Sequence, residues 1–449
     1  MRLIGGNISD TPVKEIGDGS AFNVGGGGSV MPSLPTLDTP SAITTVTATN
    51  WVTHAGGQSG SFAGAFVTGT VKLSDTLEVH VWNSGAAGKI WAASVPYSSG
   101  SVGTPNAAQN LSADFTDYAS GPVFLIKNSA SQVIIVTMRT AATTRQIQVG
   151  TYNVSGATFT KVGSISTFST ATNATAALQG FGVCRYDNNT IVMTLMNNTT
   201  TAQLQMVPCN TVSDQGFQTA VASGIAYATH VVAESTVVYR GEGLEAGNIF
   251  TISAAGRILE WSCSPGSTPT VAFVEDHSGE ILGYDDYSTQ SYWQRYTQCI
   301  PAGGGTGGHI IHLETPNNPG EVMVFGNSMN AWGGEDRPVT EDAHRIGAQN
   351  VYGTIAAWRP LTPYFMPFEE AGQYIRGALI FFNGSFNLSL IPVVLHPGTG
   401  GILPSEPVIT TNLTGSIWNG ASANYDSVSG KLTVWSVHNN SGLPAYLEV

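Results

Sequence analysis

The stretch Gln146-Ile147-Gln148-Val149-Gly150-Thr151-Tyr152-Asn153-Val154-Ser155-Gly156-Ala157-Thr158-Phe159-Thr160 decides the fold class. Apolar and polar residues alternate on both sides of Ser155-Gly156, and β-branched and aromatic residues dominate. Period-two alternation broken by a Gly-containing turn predicts two antiparallel strands. A second hairpin of this kind runs from Asn248 to Trp261 through Ala255-Gly256. Helical periodicity is scarce; the best candidate, Glu341 to Gln349, is short.

Outward from these hairpins, one unit recurs: a small polar turn followed by an apolar strand. It is read at Ser74-Asp75-Thr76-Leu77-Glu78-Val79, at Ser131-Gln132-Val133-Ile134-Ile135-Val136 and at Asn189-Thr190-Ile191-Val192-Met193. Anchoring on Leu77, Val133, Ile191, Val237, Ile281, Val322, Leu379 and Leu432 gives a mean spacing of about 51 residues, close to the length of a four-stranded propeller blade. The reading is an all-β chain, a β-propeller of about seven blades (six to eight), with a multi-sheet β-sandwich assembly as the alternative. Only 17 residues follow Leu432, too few for a whole blade. A strand from the N-terminal side, Ile43 to Thr49 or Ala65 to Lys72, would have to complete the last sheet and close the ring.

Composition agrees with sheets and turns. Of 449 residues 53 are Gly, and Ser and Thr together make about a fifth. Charged residues are 10% of the chain, against roughly 25% in an average soluble protein. The 42% hydrophobic content excludes a disordered chain, and the net charge of −13 argues against a nucleic-acid partner. Apolar runs such as Val123 to Ile126 are too short for a membrane span, and no apolar stretch after Met1-Arg2 suggests a secretory leader. Cys184, Cys209, Cys263 and Cys299 lack metal-ligand or CxxC spacing and read as buried free thiols.

Residues 1–50 differ from the rest. Gly25-Gly26-Gly27-Gly28-Ser29 is followed by Pro32, Pro35 and Pro40, the composition of an extended arm. The expected organisation is an N-terminal arm over 1–50 and a propeller-like domain over 51–449, closed by pairing of N-terminal and C-terminal strands.

Motifs for chemistry are few. The match to GxGxxG at Gly303, Gly305 and Gly308 lies in a glycine run without a strand and helix around it. His309 and His312 are three apart on an apolar stretch, a poor arrangement for sharing a metal on a strand. Charge is uneven: residues 1–230 hold 10 acidic and 9 basic side chains, and residues 231–449 hold 20 and 8. The densest acidic group is Glu335-Asp336 with Glu341-Asp342. These four are the candidate metal ligands, as an oxygen-rich cation site or docking surface; the other reading pairs them with Arg337 and Arg345. Further acidic pairs are Glu275-Asp276, Asp285-Asp286 and Glu369-Glu370. Trp82, Trp91, Trp332, Trp358 and Trp418 read as core or blade-interface residues.

The Gly/Pro-rich arm, the turn–strand repeats at Ser74 to Trp82 and Ser131 to Met138, the hairpin Tyr152 to Phe159 and the scarcity of Lys resemble the virion structural proteins of tailed bacteriophages. The likeness is to fibre, tail-tip or head-appendage proteins with propeller-like repeats. It implies a virion component assembled in the host cytoplasm, a homo-oligomer that joins other virion proteins through residues 1–50 and meets a host surface glycan. No catalytic residues and no cofactor are expected, and the chain reads as a non-enzyme. The alternatives are a polysaccharide-degrading enzyme, which requires a deep pocket holding clustered carboxylates, an aromatic and an Arg, and a lectin-like glycan-binding propeller.

Overall fold

In the computed structural model the hairpin around Gly156 is the outer half of a four-stranded sheet, and six more sheets of four or five strands surround a common axis. The structure describes residues 33, 35–37, 44–45, 68–83, 90–99, 101–115, 123–140, 144–171, 182–197, 203–212, 216–226, 237–240, 248–252, 258–276, 294–301, 308–315, 321–328, 344–348, 364–371, 374–382, 388–395, 402–404, 409–410, 417–438 and 443–449. No helix occurs among them.

Strand β1 (Thr44–Thr45) comes first in the chain. Blade one holds β2 (Thr68–Ser74), β3 (Leu77–Asn83), β4 (Ile90–Ser98) and β5 (Ser101–Val102), with β6 (Gln109–Asn110) also paired to β4. Blade two holds β7 (Val123–Ser129), β8 (Gln132–Thr140), β9 (Thr144–Ser155) and β10 (Thr158–Ala171). Blade three holds β11 (Gly182–Arg185), β12 (Thr190–Asn197), β13 (Gln203–Asn210) and β14 (Val221–Ala226). Blade four holds β15 (Val237–Arg240), β16 (Asn248–Ile252), β17 (Ile258–Ser264) and β18 (Thr270–Asp276). Blade five holds β19 (Gln294–Pro301), β20 (Gly308–Thr315), β21 (Glu321–Ser328) and β22 (His344–Ala348). Blade six holds β23 (Tyr364–Ala371), β24 (Tyr374–Phe382), β25 (Leu388–Leu395) and β26 (Ile402–Pro404), with β27 (Ile409–Thr410) also paired to β25. Blade seven holds β28 (Ile417–Asp426), β29 (Lys431–His438) and β30 (Leu443–Glu448).

Every pairing among the described strands is antiparallel, and each first strand lies beside the first strand of the next blade. The contacts run from β2 through β7, β11, β15, β19, β23 and β28 back to β2. The protein is therefore a seven-bladed β-propeller whose first strands ring the axis. Among the described residues blade seven has three strands of its own. Strand β1 supplies the fourth, with Thr44 opposite Tyr446 and Thr45 opposite Ala445.

The blades cohere through their faces. On β8, Val133 and Ile135 pack with Val79, Val81 and Ile90 of blade one, while Ile134 and Val136 pack with Ile191 and Met193 of blade three. On β12, Ile191, Met193 and Leu195 face blade two, and Val192 joins Trp261 and Leu259 of blade four. A sheet buried on both faces needs apolar residues at successive positions, as in Val133-Ile134-Ile135-Val136. Polar clasps join the outer strands. Gln109 both donates to the Phe159 carbonyl (2.9 Å) and accepts from the Phe159 N–H (2.8 Å), standing in for a strand between blades one and two. Turns follow local chemistry: Gly156 takes φ +54° in the β9–β10 hairpin, a conformation that costs glycine little.

Two sequence expectations are corrected here. The helical candidate Glu341 to Gln349 contains strand β22 instead, because pairing with β21 outweighs a weak local preference. The anchors were also not all equivalent. Leu77, Val133, Ile191, Leu379 and Leu432 lie in second strands, but Val237 starts a first strand, Val322 lies in a third, and Ile281 falls outside the described residues. The true second strands begin 55 to 66 residues apart, because the turn-plus-strand signal occurs more than once per blade.

Strand β1 is the closing element. Replacing both Thr44 and Thr45 by Pro removes the N–H that points to β30, whichever of the two carries it, and is expected to lower stability by roughly 1–3 kcal/mol. Thermal unfolding of the T44P/T45P variant checks this. An unchanged midpoint would show that β1 does not hold the ring shut.

Candidate functional site

Two polar constellations stand out among the described residues, and both lie where blade seven meets its neighbours. The first is sealed. On β3, Glu78 and His80 point toward blade seven and have no solvent exposure. Glu78 Oε1 lies 3.0 Å from His80 Nε2, and the Tyr97 hydroxyl donates to Glu78 Oε2. Trp435 Nε1 of blade seven donates to the Tyr97 oxygen at 3.0 Å, and the Trp435 ring meets His80 edge-on at a 4.3 Å centroid separation. Trp82, Val95 and Tyr446 enclose the set. Burial, then the Glu78 carboxylate, pushes the Tyr97 phenol far above its ordinary value, so it stays a neutral donor. No ligand reaches this network; it ties the first blade to the last. The Tyr97→Phe variant leaves Glu78 and Trp435 each short of a partner, and is expected to cost about 2–4 kcal/mol. Denaturant unfolding measures the cost. A loss below about 0.5 kcal/mol would mean the network contributes little to closure.

The second constellation is partly open to solvent, with Glu369 exposed and Asp426 buried, at the ends of the first strands where the chain turns into the second strands. In blade six the pairing of β23 with β24 shifts between Pro367 and Glu369, leaving Phe368 as the extra residue of a bulge. Bulges re-aim side chains. Here Phe368 stacks on Tyr425 of blade seven, with centroids 4.2 Å apart and planes 19° off parallel. Beside the stack, Arg376 of β24 pairs with Glu369. Arg376 Nε also donates to the Ser33 carbonyl at 2.9 Å, and Pro35 nearby in sequence is buried, so this part of the N-terminal segment lies against the propeller. Burial first, then Glu369 and Asp426, raises the Tyr425 phenol above its ordinary value, and Arg376 opposes them. The phenol is thus protonated at neutral pH and can donate a hydrogen bond.

Asp426 comes next along β28. Its carboxylate accepts from the Ser429 hydroxyl (2.5 Å) and the Ser429 N–H (3.1 Å), and Gly430 at φ +71° returns its N–H to the Asp426 carbonyl at 2.8 Å. Lys72 of blade one reaches across: its ammonium lies 3.6 Å from Asp426 Oδ1 and 3.2 Å from Asp75 Oδ1, and donates to the Tyr425 carbonyl at 3.2 Å. Phe368, Glu369, Arg376, Tyr425, Asp426 and Lys72 therefore meet at one end of the ring, contributed by blades six, seven and one. An exposed carboxylate, a half-buried aromatic pair and two cations can hold a hydroxyl-rich ring by stacking and bidentate hydrogen bonds.

The Ser429 hydroxyl is the largest influence holding Asp426 below the ordinary carboxyl value, followed by the Ser429 N–H and Lys72, with burial opposing. A carboxyl that ionises below its ordinary value near 3.9 contributes stability above that pH and loses it as pH falls through the folded value. Ser429→Ala should raise the Asp426 ionisation toward the ordinary value, read by carboxyl-carbon NMR titration. The stability gap between variant and parent should also narrow on acidification. An unmoved Asp426 titration would show that Ser429 does not hold it.

The sequence-derived metal candidates Glu335, Asp336, Glu341 and Asp342 lie outside the described residues. Among the described residues no group of His, Cys, Asp and Glu is arranged to hold a metal ion, and no helix is long and apolar enough to cross a membrane. Among the described residues Cys184, Cys209 and Cys263 form no disulfide, and of these three Cys209 is buried. Burial pushes its thiol up to about 12, which makes it inert. Cys184 and Cys263 are partly exposed, where the sequence suggested burial. Sequence reasoning noted Glu369-Glu370 without joining it to Tyr425 and Asp426, because the join is made by neighbouring blades.

No protein-family model and no curated protein sequence matches the chain. Solved structures of similar fold do. The core factor of S. cerevisiae aligns with 93% of this chain at 8% identity and a TM-score of 0.50, and the chain spans 62% of that protein's length. A polysaccharide lyase, an ulvan lyase, aligns over 85% of this chain and 94% of its own, at 10% identity and a TM-score of 0.40. The NanB sialidase of Streptococcus pneumoniae aligns over 87% and 70%, at 9% identity and a TM-score of 0.40. At these identities the likeness is one of fold. It nonetheless corrects one expectation. The chain was read as a non-enzyme because no catalytic motif was found, yet chains of similar fold include polysaccharide lyases and a sialidase. On this fold the lack of a short motif does not exclude catalysis. The comparisons agree with the chain's own sheets in one respect, an all-β, multi-sheet fold.

Proposed function

We propose that the protein is a carbohydrate-acting propeller, and that the glycan is held at the open constellation of blades six, seven and one. The observation that carries this is the Phe368–Tyr425 stack with Glu369, Arg376 and Asp426 around it. It supplies the carboxylates, aromatic and Arg that a polysaccharide-degrading site requires. Tyr425 offers an aromatic face and a protonated hydroxyl, Glu369 an exposed carboxylate able to accept a proton, and Arg376 a guanidinium able to bind hydroxyl or carboxylate groups. The sealed Glu78–His80–Tyr97 set offers none of this to a ligand. The phage-like composition suggests the setting we propose for the activity, a virion protein whose glycan is displayed on a host surface.

The test is incubation of the protein with a broad panel of plant, algal and bacterial-surface polysaccharides, following new reducing ends and, for eliminative cleavage, ultraviolet absorbance of unsaturated ends. Binding is measured in parallel by affinity electrophoresis. Tyr425→Ala and Arg376→Ala are each expected to lower turnover or affinity at least about tenfold. Wild-type behaviour of both variants, or a wild-type protein that neither binds nor cleaves any glycan, would overturn the proposal. Binding without cleavage would identify a lectin-like module.

A further inference from the structure

One position repeats around the ring with a chemistry that the aromatic site alone does not explain. In each first strand, one residue stands opposite the second residue of the second strand. Blade by blade these residues are Lys72, Lys127, Arg185, Arg240, Ile300, Glu370 and Tyr425. Four consecutive blades place a basic residue there. With only 17 Lys and Arg in 449 residues, seven positions would carry fewer than one by chance. Four of the chain's 17 Lys and Arg thus share one register position around the ring.

The side chains described at this level use a shared geometry. Lys72 donates to the carbonyl of Tyr425, the equivalent residue of the preceding blade, at 3.2 Å. Arg185 Nη1 donates to the carbonyl of Lys127, again the equivalent residue of the preceding blade, at 3.2 Å. Arg185 also donates to Asn188 and to the Asp187 carbonyl. Lys72 is offset by Asp75 and Asp426. Among the described residues Lys127 is exposed with no carboxylate partner, and Arg185 bonds only neutral oxygens. The middle of the arc therefore carries positive charge that the described residues do not cancel.

We infer that this arc binds an acidic polysaccharide, with uronate or sulfate groups along Lys72, Lys127 and Arg185 and a sugar ring on Tyr425. The inference rests on the proposed glycan site and names its substrate class. Charge-assisted bonds to carboxylate or sulfate are about twice as strong as neutral ones, which gives such a chain its advantage over a neutral one. The net charge of −13 repels polyanions at a distance, but over a Debye length of about 8–10 Å in physiological salt the local arc dominates. The glycan site proposed beside the arc, and not the net charge, points to an acidic glycan rather than a nucleic acid.

The experiment compares binding of the whole protein to alginate (carboxylate), dextran sulfate (sulfate), dextran (neutral) and a single-stranded polynucleotide, at low and high salt. Lys127→Glu changes an exposed side chain, and K127Q/R185Q removes the uncancelled charge; thermal midpoints control for folding. The expected result is salt-sensitive binding of alginate, dextran sulfate or both, tighter than dextran and weakened about tenfold in the variants, with dextran binding unchanged. Which of the two binds distinguishes carboxylate from sulfate. Equal binding of dextran and the acidic chains, or folded variants with wild-type affinity, would overturn the arc and leave the glycan site standing. Polynucleotide binding as tight as that of the acidic glycans would also overturn it. Failure to bind or cleave any glycan would overturn the proposed function itself and the arc with it.

Discussion

Burial of each blade on both faces is the constraint on which the rest depends. Val133 and Ile135 belong to the core shared with blade one, and Ile134 and Val136 to the core shared with blade three. Each such side chain contributes about 1.5–3 kcal/mol when fully buried, and half of that gain is missing until the neighbour arrives. A blade is thus half of two cores, and the ring must close for the first and last blades to be completed. The low charge content follows, since a sheet covered on both sides has room for charges only at its ends.

The sorting of polar groups obeys the same geometry. Between blades one and two, two and three, and three and four the buried contacts are apolar clusters. The joint between blades seven and one differs, with Glu78, His80 and Tyr97 bonded to one another and to Trp435. Buried polar groups that must meet their own partners specify one face where a purely apolar surface would accept several. The open constellation uses the remaining freedom. First-strand ends lie side by side on the ring, so residues hundreds of positions apart, such as Lys72 and Asp426, become neighbours.

Fold class was legible because it is encoded locally. The alternation through Gln146 to Thr160 and the doubly apolar run Val133 to Val136 both report on the sheet within a few residues. The shortage of chain after Leu432 pointed to a strand from elsewhere, and β1 pairs with β30. The site was not legible, because it exists only where successive blades meet. Phe368 and Tyr425 are 57 positions apart in the sequence and each looks like an ordinary strand aromatic. Motif reasoning reads short spacings, whereas this ring brings together residues a whole blade apart. Aligning the blades on their second strands, with the β2–β3 and β7–β8 pairings as guide, would have placed Lys72, Lys127, Arg185 and Arg240 in one column. The uneven anchors at Val237 and Val322 hid that alignment.

The pairing of β1 with β30 also imposes an order on synthesis. About 400 residues separate Thr44 from Tyr446, and a ribosome adding about 5–20 residues per second takes roughly 20–80 s to cover them. Through that interval Thr44–Thr45 has emerged with no strand to join, and the outer face of blade one has no seventh blade against it. That waiting face carries Glu78 and His80 among Trp82 and Val95. A carboxylate and an imidazole keep water on a surface that would otherwise invite the wrong sheet. The polar joint that ends as the most deeply sealed contact of the ring is therefore also the one that stays wet the longest.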